Sequence, residues 1–387
     1  MRYMKTIIIN CFDTYEHRVR LLQAYFLKQA HEVCVFTSDY RHFQKRYRHK
    51  VPDGFIFVHA DAYQRNLSAA RLHSHDKFTK DVFAAVETKQ PDLIWVLAPP
   101  NSLVKQAALY KKSHPKIKLV IDMIDMWPET MPVPRFLNAG TQNLRIKYLP
   151  PFSWWKGLRD RYIDVADAVV TECELYQSVL KSKCDAGKLH TLYLAKADSD
   201  LPPVSAATDS IAPPGDRWAL CYFGSINHII DISSICSIIT NLPKREKCPA
   251  LHVIGDGEQR NELLEAARIA GAEVIYHGKV FDPLEKQCIL DGCHFGLNIM
   301  KDSVFVGLTM KSLDYFAAGL PVLNNIKGDT WTLVEKNHIG INLGSENKPK
   351  DWYNTAYRDN VRTVFRKYFT EKAFEDKVSE ILNTMMY

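Results

Sequence analysis

The chain has 387 residues, 46% hydrophobic and 24% charged, a length beyond one ordinary core and a balance that excludes a disordered or fibrous protein. No stretch approaches the roughly 18 uninterrupted apolar residues of a membrane-spanning helix, and the nine cysteines form no C-x-x-C pair or zinc-type cluster, as expected of reduced thiols in a cytoplasmic protein. The net charge of +6 hides an asymmetry: residues 1–200 carry 30 Lys and Arg against 21 Asp and Glu, the rest 20 against 23, so a basic first half is expected to meet something anionic.

In chain order, residues 5–10 read as a strand, 18–29 as a helix and 32–37 as a second strand, a βαβ pattern that predicts a parallel, doubly wound α/β sheet. Residues 41–50 interleave basic and aromatic side chains, and a solvated basic helix is the ordinary reading of such a run. Strands follow at 92–97, 118–122 and 168–171, completing a first domain over 1–200. Residues 201–216 hold four prolines among small polar residues and predict a linker. A second α/β domain over 217–370 then shows strands at 218–223, 250–254, 273–276, 295–299 and 321–324, with a helix over 310–318. A last helix, about 371–387, is long enough to pack back on the first domain.

Ligands of open parallel sheets sit beyond the carboxyl ends of the strands, where glycine admits a close backbone and helix N-termini present free N–H groups. Gly224, Gly255, Gly257 and Gly278 each follow a predicted strand of the second domain. The sharpest segment is Gly307-Leu-Thr-Met-Lys-Ser-Leu-Asp-Tyr-Phe-Ala-Ala-Gly-Leu-Pro-Val-Leu323, a polar turn entering a helix and leaving through glycine into a strand. It resembles the donor-binding signature of the family 4 glycosyltransferases. Phe223-Gly-Ser225, Gly255-Asp-Gly257, His277-Gly278 and Ala166-Asp-Ala-Val-Val170 follow in that family's order. In the first domain, Asp125-Met-Trp-Pro-Glu-Thr130 is similar to the Asp-Leu-Trp-Pro-Glu-Ser run of the branch acting on lipid-linked precursors of bacterial surface polysaccharides.

The resemblance implies a GT-B fold, two facing Rossmann-like domains with the active site in the cleft between them. It also implies a retaining, metal-independent transfer of sugar from a nucleotide diphosphate donor, UDP-linked by expectation, to a hydroxyl of a lipid-linked glycan. No cofactor, metal or nucleic acid is expected. Carried over, Thr309, Met310, Lys311 and Ser312 hold the diphosphate through backbone N–H groups, helix dipole and ammonium, with Lys311 stabilising the leaving group. Asp314 takes the ribose hydroxyls, Lys279 and Val280 meet the base through backbone, and Gly224, Ser225 and Asn227 face the diphosphate. Asp125 orients the acceptor hydroxyl, and Glu16, Arg18 and Trp127 are acceptor-binding candidates.

The chain departs from the pattern in having Val306 where a glutamate is frequent, and Ser225-Ile-Asn-His in place of an Arg and Lys that grip the diphosphate. Asn227 or His228 is then the available substitute. Two rivals stay open: a nucleotide-sugar 2-epimerase of the same fold, and a non-catalytic partner that keeps the fold. Asp198-Ser199-Asp200 has the form of a metal-binding pair but falls at the border of the proline-rich linker, with no preceding buried strand to fix both carboxylates. Basic and aromatic residues in 41–50 and 148–161 suit a peripheral place on the inner face of the cell membrane.

Overall fold

The computed structural model describes residues 3–66, 68–130, 150, 152–201, 213–344, 353–354 and 356–386. The chain divides into two compact units, Met1–Leu194 with Phe374–Tyr387, and Ala195–Ala373. The division thus falls at 194/195, with residues 195–200 in the second unit. Most of the predicted linker, 202–212, lies outside the described residues.

The first unit is a seven-stranded parallel sheet ordered β5-β2-β1-β6-β7-β8-β9. Its strands are β1 Lys5–Asn10, β2 Glu32–Ser38, β5 Phe55–Val58, β6 Leu93–Ala98, β7 Lys118–Met123, β8 Ala168–Thr171 and β9 Leu189–Thr191. Every residue of β6 is buried, as a central strand covered on both faces requires. Helices α1 Glu16–Lys28, α2 Ala69–Glu87, α3 Asn101–Ser113, α4 Phe152–Asp160 and α5 Glu174–Leu180 connect the strands. Ser68 caps α2 by accepting from the Arg71 N–H, which satisfies one of the donors that a helix start leaves open.

The basic run at 41–50 is no helix. It holds a small antiparallel hairpin, β3 Tyr40–Arg41 against β4 Arg46–Tyr47, turned at Lys45 with a positive φ of 52°. The Arg48 guanidinium folds it down, donating to the Ser38 carbonyl at 2.9 Å and pairing with Glu16 at 2.5 Å. Local backbone reversal and one buried cation outweigh helix propensity here.

The second unit is a six-stranded parallel sheet ordered β12-β11-β10-β13-β14-β15. It comprises β10 Ala219–Phe223, β11 Ala250–Ile254, β12 Glu273–Gly278, β13 Phe295–Asn298, β14 Val322–Asn324 and β15 Gly340–Asn342. The helices are α6 Ile232–Asn241, α7 Arg260–Ile269, α8 Pro283–Asp291, α9 Met310–Ala317, α10 Asp329–Asn337 and α11 Ala356–Tyr368. Trp218, Leu220, Tyr222, Ile235, Leu251, Leu263 and Phe295 belong to its core. The terminal helix α12, Glu371–Met386, joins the first unit from Phe374 onward. There Glu375 pairs with Lys28 at 3.0 Å and Ser379 meets the Tyr25 hydroxyl at 2.8 Å. In each unit the parallel strands end on one edge, and that edge carries the candidate residues.

Candidate functional site

In the second unit the loops after β10, β11 and β12 are stitched edge to edge. The Gly224 N–H donates to the Ile254 carbonyl at 2.9 Å, and the Gly255 N–H to the Gly278 carbonyl at 2.7 Å. Glycine is a geometric necessity at 255: its φ is +132°, and a Cβ there would lie 2.0 Å from the Gly224 oxygen. Gly257 is as tightly placed, 2.2 Å by the same measure from the Ile226 oxygen. No side chain fits between these loops, so backbone alone forms the ledge.

Helix α9 aims its N-terminus at that ledge. Thr309 caps it, accepting from the Ser312 N–H at 3.0 Å, while its hydroxyl bonds Asn298 Oδ1 at 3.1 Å. Asn298 donates to Asn324 Oδ1 and Asn324 to Asn342 Oδ1, each at 2.8 Å. These asparagines stand in register at the ends of β13, β14 and β15, so the cap rests on a buried ladder with donors matched to acceptors. Tyr315 fastens the other side, its hydroxyl accepting from the Phe223 N–H at 2.8 Å and donating to the Cys221 carbonyl at 3.1 Å. Ser312 is fully buried, and its N–H is spent on Thr309; it supports the turn and offers a ligand nothing. The N–H groups of Met310 and Lys311 remain open, with no partner among the described residues.

Lys311 is the chemical centre of the ledge. Its stem lies along Gly224, where a Cβ would sit 3.2 Å from Lys311 Cγ. Its Nζ donates to the Tyr222 hydroxyl at 2.8 Å, which in turn donates to the Ser225 carbonyl at 2.9 Å. Lys311 is 9% exposed and has no carboxylate partner among the described residues. Burial alone lowers its pKa from 10.5 to about 8. A buried ammonium without a counter-ion, beside two open helix amides, is an arrangement that an anion completes.

Asp314, one turn along α9, is held by two cations that the sequence did not single out, Lys196 at 2.8 Å and Lys286 at 3.5 Å. Any ribose hydroxyl donating to this carboxylate shares it with both. Asn227 accepts from the Ile229 N–H at 3.1 Å, His228 pairs with Glu258 at 3.4 Å and the exposed Lys279 reaches Asp256 at 3.9 Å. Val280 is half-buried beyond Gly278. Tyr222, Lys196 and Lys286 carried no motif signal, since each acquires its role through a neighbour distant in the chain.

In the first unit the Asp-Met-Trp-Pro-Glu-Thr segment explains its own composition. Asp125 accepts from Trp127 Nε1 at 2.7 Å and from the Thr130 hydroxyl. Glu129 forks the buried Arg159 through two bonds of 2.9 Å, and Arg159 also donates to the Trp127 carbonyl at 3.1 Å. The Asp125 pKa is raised by burial, and the donors Thr130 and Trp127 hold that rise back. The outcome is an immobilised carboxylate surrounded by neutral donors.

Three acceptor candidates are placed otherwise than expected. Arg18 is 1% exposed; it forms a two-pronged pair with Asp122 at 2.8 Å and donates to the Leu192 carbonyl at 2.8 Å, so it is a core residue. Trp127 is 8% exposed under the Arg71 guanidinium, 4.3 Å above its ring, and its Nε1 holds Asp125. Glu16 is committed to Arg48. The charged helix start hid these roles because only tertiary contact supplies Asp122, Leu192 and Arg48. Among the described residues, no three His, Cys, Asp or Glu side chains gather as metal ligands.

No family model and no curated protein sequence matches the chain. Solved structures do. Sucrose-phosphate synthase from Thermosynechococcus elongatus matches with a TM-score of 0.67 at 13% identity, over 99% of this chain and 99% of that one. A glycosyltransferase from Rickettsia africae gives 0.61 at 11% identity, over 100% and 99%. The lipopolysaccharide outer core galactosyltransferase WaaB, in its apo form, gives 0.56 at 13% identity, over 98% and 99%.

Proposed function

This chain has the GT-B fold, two Rossmann-like parallel-sheet units, and we propose that it is a retaining glycosyltransferase. The donor is a nucleotide diphosphate sugar, UDP-linked in this reading, and the acceptor is a hydroxyl of a lipid-linked glycan in surface polysaccharide synthesis. The observation that carries the reading is Lys311, a buried ammonium with no carboxylate partner among the described residues, next to the open amides of Met310 and Lys311. A positive charge beside two open N–H donors suits the charge and acceptor oxygens of a diphosphate.

The bond from the sugar's anomeric carbon to the β-phosphate oxygen breaks as the bond to the acceptor oxygen forms. Charge grows on the departing diphosphate, where the ammonium and the α9 dipole already point. Asp125 orients the acceptor hydroxyl, and the acceptor proton leaves with the diphosphate, so no strong base and no metal are needed. Asp314, with Lys196 and Lys286, holds the ribose end. A peripheral place on the inner membrane face accords with the half-exposed Trp154 and with Phe43, 74% exposed at the tip of the β3–β4 hairpin beside Arg41 and Arg46.

The test is calorimetric titration of the protein and of Lys311→Ala with UDP, GDP and ADP, without metal. One nucleotide is expected to bind the wild type and to bind the variant at least roughly tenfold more weakly, a change of about 1.4 kcal/mol. If none binds at millimolar concentration, the chain is a non-catalytic relative of these enzymes.

A further inference from the structure

A second set of polar groups in the first unit lacks partners among the described residues, and it lies in a pocket. The cavity, about 50 Å³, lies between α2, α3 and α4, with Leu72, His75, Ser102, Lys105, Trp154 and Trp155 among its walls and Asp76 at its polar side. His75 is 3% exposed, and among the described residues neither of its ring nitrogens has a hydrogen-bond partner. Leaving such a group unpaired forfeits its hydration without replacement, so a ligand that bonds to it recovers that loss. Lys105, half-buried on α3, has no ion pair or hydrogen bond among the described residues. Against these stand the faces of Trp154, 58% exposed, and Trp155, 5% exposed.

We propose that this pocket binds one pyranose ring, the sugar of the acceptor glycan next to the reacting hydroxyl; the assignment to acceptor rests on the transferase reading above. A pyranose has the required duality: an apolar C–H face for the indoles and ring-edge hydroxyls for imidazole, ammonium, carboxylate and the Ser102 hydroxyl. The size agrees. A water needs at least about 10–15 Å³ of such space, so the cavity replaces a few waters, as one sugar edge does. An anion is disfavoured because Asp76 shares the wall and His75 is neutral, its pKa held well down by burial and by Arg71.

The location ties the pocket to Asp125. The Trp127 ring stacks on His75 with centroids 6.3 Å apart and packs on Trp155 at 5.4 Å, while its Nε1 holds Asp125. A sugar in the pocket therefore sits one indole away from the carboxylate that orients the acceptor hydroxyl.

The experiment is saturation-transfer NMR on the full chain with the methyl pyranosides of glucose, galactose, mannose and N-acetylglucosamine at millimolar concentration, with no nucleotide. Wild type is expected to transfer saturation to at least one of them, and Trp154→Ala and Lys105→Ala to bind it roughly tenfold more weakly or worse. UDP titration of the same samples, expected unchanged in both variants, separates loss of this pocket from failure of the donor reading. The proposal is overturned if no pyranoside responds with wild type, or if both variants bind as well as it does. It is overturned equally if inorganic pyrophosphate binds in the pyranosides' place and only Lys105→Ala abolishes that.

Discussion

Replacing Lys311 with methionine is expected to stabilise the ligand-free protein while abolishing diphosphate binding. The gap between 10.5 and about 8 in the Lys311 pKa corresponds to about 3 kcal/mol spent keeping the ammonium buried. Methionine removes that cost and fills similar space, but forfeits the bond to Tyr222 and the contact 4.4 Å from its ring, together about 1–2 kcal/mol. The net gain is about 1–2 kcal/mol near pH 7. The sign depends on pH. Below pH 8 the lysine is charged in both folded and unfolded chains and the full cost is present. Between about 8 and 10.5 the unfolded chain binds the extra proton, so the wild type gains stability and the advantage of Lys311→Met disappears. Denaturant unfolding of both proteins at pH 7 and pH 10 measures this, because other titrating groups cancel in the difference. A variant less stable than wild type at pH 7, by a margin unchanged at pH 10, would refute the idea of a buried ammonium waiting for an anion.

Three further outcomes are expected. Gly255→Ala forces a Cβ to 2.0 Å from the Gly224 oxygen at a φ of +132° and destabilises the second unit by at least about 3 kcal/mol; an unchanged melting temperature would contradict the ledge geometry. Arg18→Met leaves Asp122 buried and unpaired, costing about 3–5 kcal/mol in urea unfolding, whereas Arg18→Met with Asp122→Leu recovers most of it; a single variant as mild as a surface change would return Arg18 to the ligand-binding candidates. Asp125→Asn lowers turnover roughly 10²-fold and leaves nucleotide affinity unchanged. Because its pKa is raised, the wild-type rate falls on the acid side at a higher pH than an ordinary carboxylate would set. Persistence of that limb in the variant would assign it to another group.

The architecture was legible because its signals are local. Buried parallel strands such as Leu93–Ala98 read as continuous apolar runs, and the helix beginning at Met310 announces itself by its threonine cap and by Gly319 beyond its end. The short edge strands Phe55–Val58, Leu189–Thr191 and Gly340–Asn342 leave no mark in the sequence, since so few residues show no period. The hairpin at Tyr40–Tyr47 differs from the expected helix because its basic residues look the same on either backbone until Arg48 finds Glu16 and Ser38.

By itself the sequence determined which backbone segments lie at the strand ends and which of them must be glycine or a helix start, because these follow from dihedral and hydrogen-bonding preferences of neighbouring residues. Tertiary structure alone decided which charges are available. Arg18 and Lys311 are alike on the page, each a cation in the first turn of a helix. One is neutralised by Asp122, 104 residues away, and the other, among the described residues, donates only to the Tyr222 hydroxyl, 89 residues away. Burial makes that difference consequential, since a low-dielectric site gives an unpaired charge a large free energy and leaves a paired one inert.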